Sequence, residues 1–208
     1  MGLLRKFFSN TGKPEGVMGR IVVAMMNRGH AGIAAWGFTH LRFRGDEDVL
    51  DCGCGGGANL AQLLRLLPKG RVTGLDYSPI SVEKAREVNR AAIDAGRCTV
   101  VQGNVLELPF ESSSFDVVTA FETVYFWPEL VRCFAEIHRV LKPGGVFMIT
   151  NEATGRTKSH EKWQKIVDGM SVYTGEELET LLLGAGFARV VIDEDLKRDR
   201  LNVRAYKT

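Results

Sequence analysis

No uninterrupted apolar run in this 208-residue sequence exceeds six residues, the longest being "IVVAMM" at 21–26. That is far short of the ~20 residues needed to cross a bilayer, and too short for the apolar part of a secretory leader. A myristoylation signal is missing too, because Lys6 stands where the pattern after "MG" requires Ser or Thr. Cysteine is scarce: there are four, with no C-x-x-C pair and no Cys/His set to complete a tetrahedral metal site. The expectation is therefore reduced thiols, no metal and a cytoplasmic protein. Excess charge is lacking as well, with 27 Lys/Arg against 25 Asp/Glu for a net +2, which argues against a large polyanion such as nucleic acid as substrate. No repeat, low-complexity tract or linker divides the chain, so one domain of ordinary globular composition is expected.

Charge is nevertheless uneven. Residues 1–45 carry seven Lys/Arg, at 5, 6, 13, 20, 28, 42 and 44, against the single acid Glu15. The plain reading is a solvated face on a helical, lid-like segment that stands outside the main fold. That fold occupies residues 46–208.

From Asp48 onward, short β-rich runs alternate with amphipathic helical patterns. "DVLDC" (48–52), "RVTGLD" (71–76), "CTVVQG" (98–103), "FDVVTAF" (115–121) and "VFMITN" (146–151) read as strands. Between them, Leu60, Leu63, Leu64 and Leu67 fall at helical spacing. Ser78-Pro79 reads as a helix start, with Val82, Ala85, Val88 and Ala92 predicted on one face. Leu130, Phe134, Ile137 and Leu141 mark another helix, for which "KPGG" supplies the stop. A helix over 175–186 then precedes two strands, 187–193 and 200–207, close enough to pair antiparallel. The predicted fold is α/β: a doubly wound, seven-stranded, mostly parallel sheet with an antiparallel last strand, plus the amino-terminal helical lid.

"VLDCGCGGGANL" (49–60) is the stretch that carries chemistry, and three chemistries compete for it. A thiol site is disfavoured, because Cys52 and Cys54 should diverge and Cys98 and Cys133 belong to other elements. All four read better as small buried hydrophobes. A dinucleotide loop is weakly supported: Gly53-x-Gly55-x-x-Ala58 fits G-x-G-x-x-G/A, with Asp76 downstream. Asp51 counts against it, since a carboxylate ending the strand would repel a diphosphate seeking the helix N-terminus. The same carboxylate suits a cofactor with a cationic end.

With these residues in place, the chain resembles the Rossmann-like class I S-adenosylmethionine-dependent methyltransferases, of a small-molecule type similar to the ubiquinone and menaquinone biosynthesis enzymes. The motif order matches over roughly 46–206. "VLDCGCGGG" resembles their first motif, "GLDYS" the second, "GNVLELPF" the third, and "FDVVTAFETVYFW", "LKPGG" and "YTGEELETLLLGAGF" complete the series. The resemblance implies that Asp51 serves the methionine end of S-adenosylmethionine. It implies that Gly53 and Gly55 let the backbone pass close to the cofactor, that Asn59 binds it, and that Asp76 accepts from the ribose hydroxyls. Tyr77, Gly103, Asn104, Val105 and Phe121 would surround the remainder, with S-adenosylhomocysteine as product. Asn104 replaces the aspartate usual in the third motif, and its amide oxygen can still accept from the adenine amino group.

Methyl transfer needs an aligned nucleophile and a dry site more than a covalent catalyst. Candidate residues follow strand four: Glu122 to orient the substrate, act as base or contact the cofactor, with Tyr125 and Trp127 flanking the methyl group or the substrate. His30 and Trp36 are the candidates for closing over the site from the lid, while His40 reads as structural. The insert at 152–172, with Glu152, His160, Trp163 and then Tyr173, is the other wall. No Asn/Asp-Pro-Pro-Tyr/Phe motif and no Pro-Cys pair occur, which disfavours methylation of nucleic-acid bases. The expected partner is a small molecule, and a homodimer stays open. The competing readings are an NAD(P)-dependent oxidoreductase, disfavoured by Asp51 and the lack of a Tyr-x-x-x-Lys pair, and a non-catalytic S-adenosylmethionine-binding protein.

Overall fold

The computed structural model describes residues 31–157 and 169–208. Its elements run α1 (Ala31–Phe38), β1 (Asp48–Cys52), α2 (Ala58–Leu66), β2 (Arg71–Asp76), α3 (Pro79–Val88), α4 (Arg90–Asp94), β3 (Cys98–Gln102) and β4 (Phe115–Phe121). A 3-10 turn (Val124–Phe126), α5 (Leu130–Val140), β5 (Leu141–Asn151), α6 (Gly175–Gly184), β6 (Arg189–Asp195) and β7 (Arg200–Tyr206) follow. The seven strands form one sheet in the order β3-β2-β1-β4-β5-β7-β6. The pairs β2–β3, β1–β2, β1–β4 and β4–β5 are parallel, whereas β7 runs antiparallel to both β5 and β6.

Because both sheet faces are covered, successive residues of the central strands are buried on opposite sides. Val49 and Met148 belong to one core with Leu60, Leu63 and Val72, while Leu50 and Phe147 belong to the other with Phe134, Ile137 and Leu178. This explains why the central strands read as continuous apolar runs rather than as alternating ones. The chain lays down β1, β2 and β3 outward, then returns to place β4 on the other side of β1. That reversal opens a crevice at the carboxyl ends of β1 and β4, where such folds bind ligands.

Two predicted features differ. The strand expected at 146 begins at Leu141, directly after α5, because Leu141 pairs with Phe115 and the "KPGG" stretch lies within the strand. Gly144, at φ 78°, hydrogen-bonds Lys207 from there. The helix beginning at Pro79 stops at Val88, which is 43% exposed, and Asn89 is buried in its place. The Asn89 amide donates to the carbonyls of Ala85 and Gly57, both at 2.9 Å. Gly57 sits at φ 80° against Ala85 and Asn89, with no room for a Cβ. Asn89 thus ties the helix to the glycine loop 32 residues earlier.

The Ser78 side chain caps α3 ahead of Pro79, and a Thr174–Glu177 capping box starts α6. At the open edge, the Arg86 guanidinium donates to the Val100 carbonyl at 2.8 and 3.2 Å, covering an acceptor on β3 that would otherwise face a pairing strand. No helix among the described residues is long and apolar enough to cross a membrane.

Asn89→Ala should cost about 1–3 kcal/mol, as expected for a buried hydrogen-bonding group removed from its partners. Val88→Ala should cost less than about 0.5 kcal/mol, as at an ordinary surface position. Urea unfolding of both variants measures the difference; equal effects would contradict the assignment of Asn89 to the buried face.

Candidate active site

Asp51 ends β1 at the crevice and is 1% exposed. Its Oδ1 accepts from the Thr119 hydroxyl at 2.7 Å, a pairing prepared by the β1–β4 register, which sets Asp51 beside Thr119. Its Oδ2 is buried and has no hydrogen-bond partner among the described residues. Burial holds the Asp51 pKa up to about 7; the Thr119 hydroxyl opposes the shift and the charge of Asp76 adds to it. A carboxylate placed so is an acceptor in want of a cation.

The loop beyond it is shaped by left-handed glycines. Gly53 is at φ 80° and donates to the Leu75 carbonyl at 2.7 Å, and a Cβ on it would strike the Thr123 side chain. Gly55, at φ 52°, has no heavy atom of the other described residues within 4 Å of where its Cβ would stand, so among the described residues the loop opens there onto space. Asn59 lies in the first turn of α2, partly buried. Asp76 ends β2, 7% exposed, and takes the Gly55 N–H at 2.8 Å on one oxygen and the Ser78 N–H at 2.9 Å on the other. Burial raises its pKa while those two N–H groups lower it. Each oxygen keeps a further lone pair for a hydroxyl donor.

Tyr77 is 44% exposed next to Asp76. Gly103 donates to the Asp76 carbonyl at 3.1 Å, which brings the end of β3 alongside, and Val105 is buried. Asn104 is exposed, and its side-chain oxygen already accepts from the Leu106 N–H at 3.0 Å, leaving one lone pair.

On the other side of the crevice β4 ends at Phe121, buried edge-to-face on Phe38 of α1 at 4.9 Å. Glu122 follows in the left-handed region at φ 56°, a conformation that glycine favours. The Glu122 N–H still pairs with the Thr150 carbonyl at 3.0 Å. The Glu152 N–H, however, donates to the Glu122 side chain, which therefore closes the β4–β5 ladder. The Tyr125 hydroxyl makes a long contact of 3.4 Å to the same carboxyl. Burial and the neighbouring Glu152 charge push the Glu122 pKa up to about 8, so the group is mostly protonated at neutral pH. Tyr125 is buried and its pKa is raised further, so it serves as a donor.

Comparison with known proteins identifies the family and the fold. Residues 50–149 match the methyltransferase domain family Methyltransf_11. Cycloartenol-C-24-methyltransferase 1 of Oryza sativa subsp. japonica is 31% identical over 160 residues, 73% of this chain and 46% of its own length. Phthiotriol/phenolphthiotriol dimycocerosates methyltransferase 1 of Mycobacterium ulcerans is 35% identical over 126 residues, 60% of this chain and 44% of its own length. The chain belongs to the class I S-adenosylmethionine-dependent methyltransferases. It spans less than half the length of these two curated relatives. For the fold, phosphoethanolamine N-methyltransferase 2 of Haemonchus contortus, solved with S-adenosyl-L-methionine, superposes with a TM-score of 0.80 at 17% identity. That match covers 100% of this chain and 60% of the other.

Within the methyltransferase, the remaining candidates divide. Trp127 is turned to the core: its ring stacks on Phe147 at 6.3 Å and its indole N–H donates to Thr123 at 3.2 Å, so packing rather than the crevice claims it. Trp36 meets His40 edge-on at 4.5 Å, with the Arg200 guanidinium 6.0 Å from its ring. His40 also contacts the Trp36 carbonyl at 3.0 Å through Nδ1. Gly37 lies against Thr150 and Phe121 so closely that α1 meets the strand ends there without room for a side chain. Tyr173 packs on the core beside α6, and the Ser171 N–H donates to the Tyr125 carbonyl at 2.9 Å, bringing the end of the insert to the site. His30, His160 and Trp163 lie outside the described residues. Among the described residues no group of three or more His, Cys, Asp or Glu is gathered to hold a metal ion. Sequence reading missed Thr119 and Thr123. Thr119 has a signal in hindsight, since pairing β1 with β4 places it across from Asp51.

A raised carboxyl pKa costs the folded state stability as pH climbs from the unfolded value, about 4.3, to the folded one. Glu122→Gln, which imitates the protonated form, should match the wild type near pH 4.5. Its advantage should then grow up to pH 8, where the folded-state pKa of about 8 is reached. Urea unfolding at several pH values tests this; a pH-independent difference would contradict a partly buried, protonated Glu122.

Proposed function

We propose that this methyltransferase moves the methyl group of S-adenosylmethionine to a small-molecule acceptor by direct displacement. The observation that carries the reading is the buried, unpartnered Oδ2 of Asp51 beside the glycine loop. It demands a cation and would repel a diphosphate, which favours a cofactor with an ammonium group and a sulfonium over NAD(P). Asp51 would hold the ammonium, directly or through water, and Gly55 would leave space for the nucleoside. Asp76 would accept from the ribose hydroxyls, and Tyr77, Asn104 and Val105 would border the adenine. When bound, the cofactor supplies an activated methyl carbon; the acceptor atom forms its bond to that carbon as the carbon–sulfur bond breaks.

Residues of this chain would align the acceptor and exclude water. Glu122 and Tyr125 are the candidates for the reacting end, and an acceptor arriving with a proton could pass it to Glu122 once that carboxyl is ionised. Aromatic side chains near the sulfonium would add cation–π attraction. Residues 31–45, the described part of the 1–45 segment expected as a lid, would close over the 46–208 core, a reading supported by the close seat of α1 on Phe121 and Thr150; residues 1–30 lie outside the described residues. A small-molecule acceptor rather than a polyanion is in keeping with the relatives, whose names specify cycloartenol and phthiotriol/phenolphthiotriol dimycocerosates, and with the near-neutral charge of the chain.

Calorimetric titration with S-adenosylmethionine, S-adenosylhomocysteine and NADH tests the reading, followed by transfer of a labelled methyl group to a panel of sterol, lipid and amine acceptors. Both methionine nucleosides should bind and NADH should not; tight NADH binding alone would sink the proposal. Asp76→Ala should weaken the methionine nucleosides at least ~10-fold, as loss of hydrogen bonds to a charged acceptor implies. Cys52→Ser and Cys54→Ser should leave affinity within about threefold, since buried thiols act as packing groups.

A further inference from the structure

Asp51 faces an arrangement with no positive charge in it. From β2 comes the carboxylate of Asp76, from β1 and the loop come the thiols of Cys52 and Cys54, and from β4 comes only the hydroxyl of Thr119. Among the described residues no lysine, arginine or histidine acts on it. Thr119 is itself fully buried, and its hydroxyl occupies Oδ1 at 2.7 Å while Oδ2 is left without a partner. The threonine therefore fixes the carboxyl plane and decides which oxygen is offered to a ligand.

Resting on the cofactor assignment above, we propose that Thr119 is a positioning residue of the cofactor site. It aims the Asp51 carboxyl so that the ammonium group of the methionine nucleoside takes the place of a proton on Oδ2, and cofactor binding releases that proton to solvent. The exchange balances charge: one proton leaves the buried carboxyl, one fixed cation arrives beside it, and no covalent bond to the cofactor is made. A buried carboxyl without a cation is more stable neutral, and one with a cation at hydrogen-bond distance is more stable ionised. The hydroxyl contributes because a donor to the ionised form favours ionisation, so it lowers the cost of parting with the proton.

The experiment is titration calorimetry of the full chain with S-adenosylhomocysteine between pH 6 and 8.5, in buffers of different ionisation enthalpy, which counts protons released per molecule bound. With a carboxyl that titrates at about 7, release should be about 0.9 proton at pH 6, about 0.5 at pH 7 and near zero at pH 8.5. 5′-Methylthioadenosine, which lacks the amino-acid end, should bind without this release, separating Asp51 from Asp76. Asp51→Asn should abolish the release and flatten the pH dependence below pH 7.5. Thr119→Val should move the release curve up by about one pH unit and weaken binding at pH 7 about tenfold, while Thr119→Ser restores both. A general packing defect would weaken binding without moving the curve. Wild-type binding with no proton released overturns this inference and leaves the cofactor assignment standing. A Thr119→Val curve coincident with wild type, or Thr119→Ser behaving like Thr119→Val, overturns the role of Thr119. Failure of S-adenosylhomocysteine to bind at all overturns the cofactor assignment instead.

Discussion

A carboxyl group buried at the end of the central strand, with one oxygen satisfied and the other not, is the constraint around which this molecule is arranged. Burying such a group is costly unless something answers its charge. Everything near Asp51 is built to keep it there: β1 is covered on both faces, the glycine loop turns away to leave space, and β4 supplies one hydroxyl and no cation. Under the proposed function, the cationic end of the ligand would offset that cost. The same logic separates this crevice from a diphosphate site on a related sheet, where a free helix N-terminus is wanted and a neighbouring carboxylate is not.

The opposite wall uses a carboxyl group differently. Glu122 occupies a conformation that an L-residue seldom adopts, and strain of this kind persists only where surrounding structure over-determines it. Here the Thr150 carbonyl holds its backbone while the Glu152 N–H and the Tyr125 hydroxyl hold its side chain. Asp51 is tuned near neutrality and Glu122 above it, so under the proposed function the first would serve charge recognition and the second proton handling.

Much of this was legible in the sequence, and for a physical reason. β1, β2 and β4 are short, apolar and bounded by turn residues, so the predicted limits at 48–52, 71–76 and 115–121 agree with the structure. Asp51, Asp76 and the glycines were legible because strand ends and positive-φ turns restrict which residues can stand there. What escaped depends on partners distant in the chain. Asn89 is buried because Gly57 offers it a carbonyl, which no helical period can reveal. The "KPGG" stretch joins β5 because Phe115 and Lys207 are there to pair with it. Trp127 belongs to the core because Phe147 lies parallel beneath it. Thr119 needed the β1–β4 register before its meaning could be seen.

The four cysteines, incidental to the chemistry, have a use of their own. All are buried, and burial holds each thiol above its ordinary range of ionisation. The reactive species toward alkylating reagents is the thiolate, which the folded chain hardly populates and does not expose. Alkylation must therefore wait on opening of the strand or helix that carries each thiol. Cys52 and Cys54 report on the ligand loop, Cys98 on the sheet edge and Cys133 on α5, so the chain carries its own clock for local unfolding in three separate places.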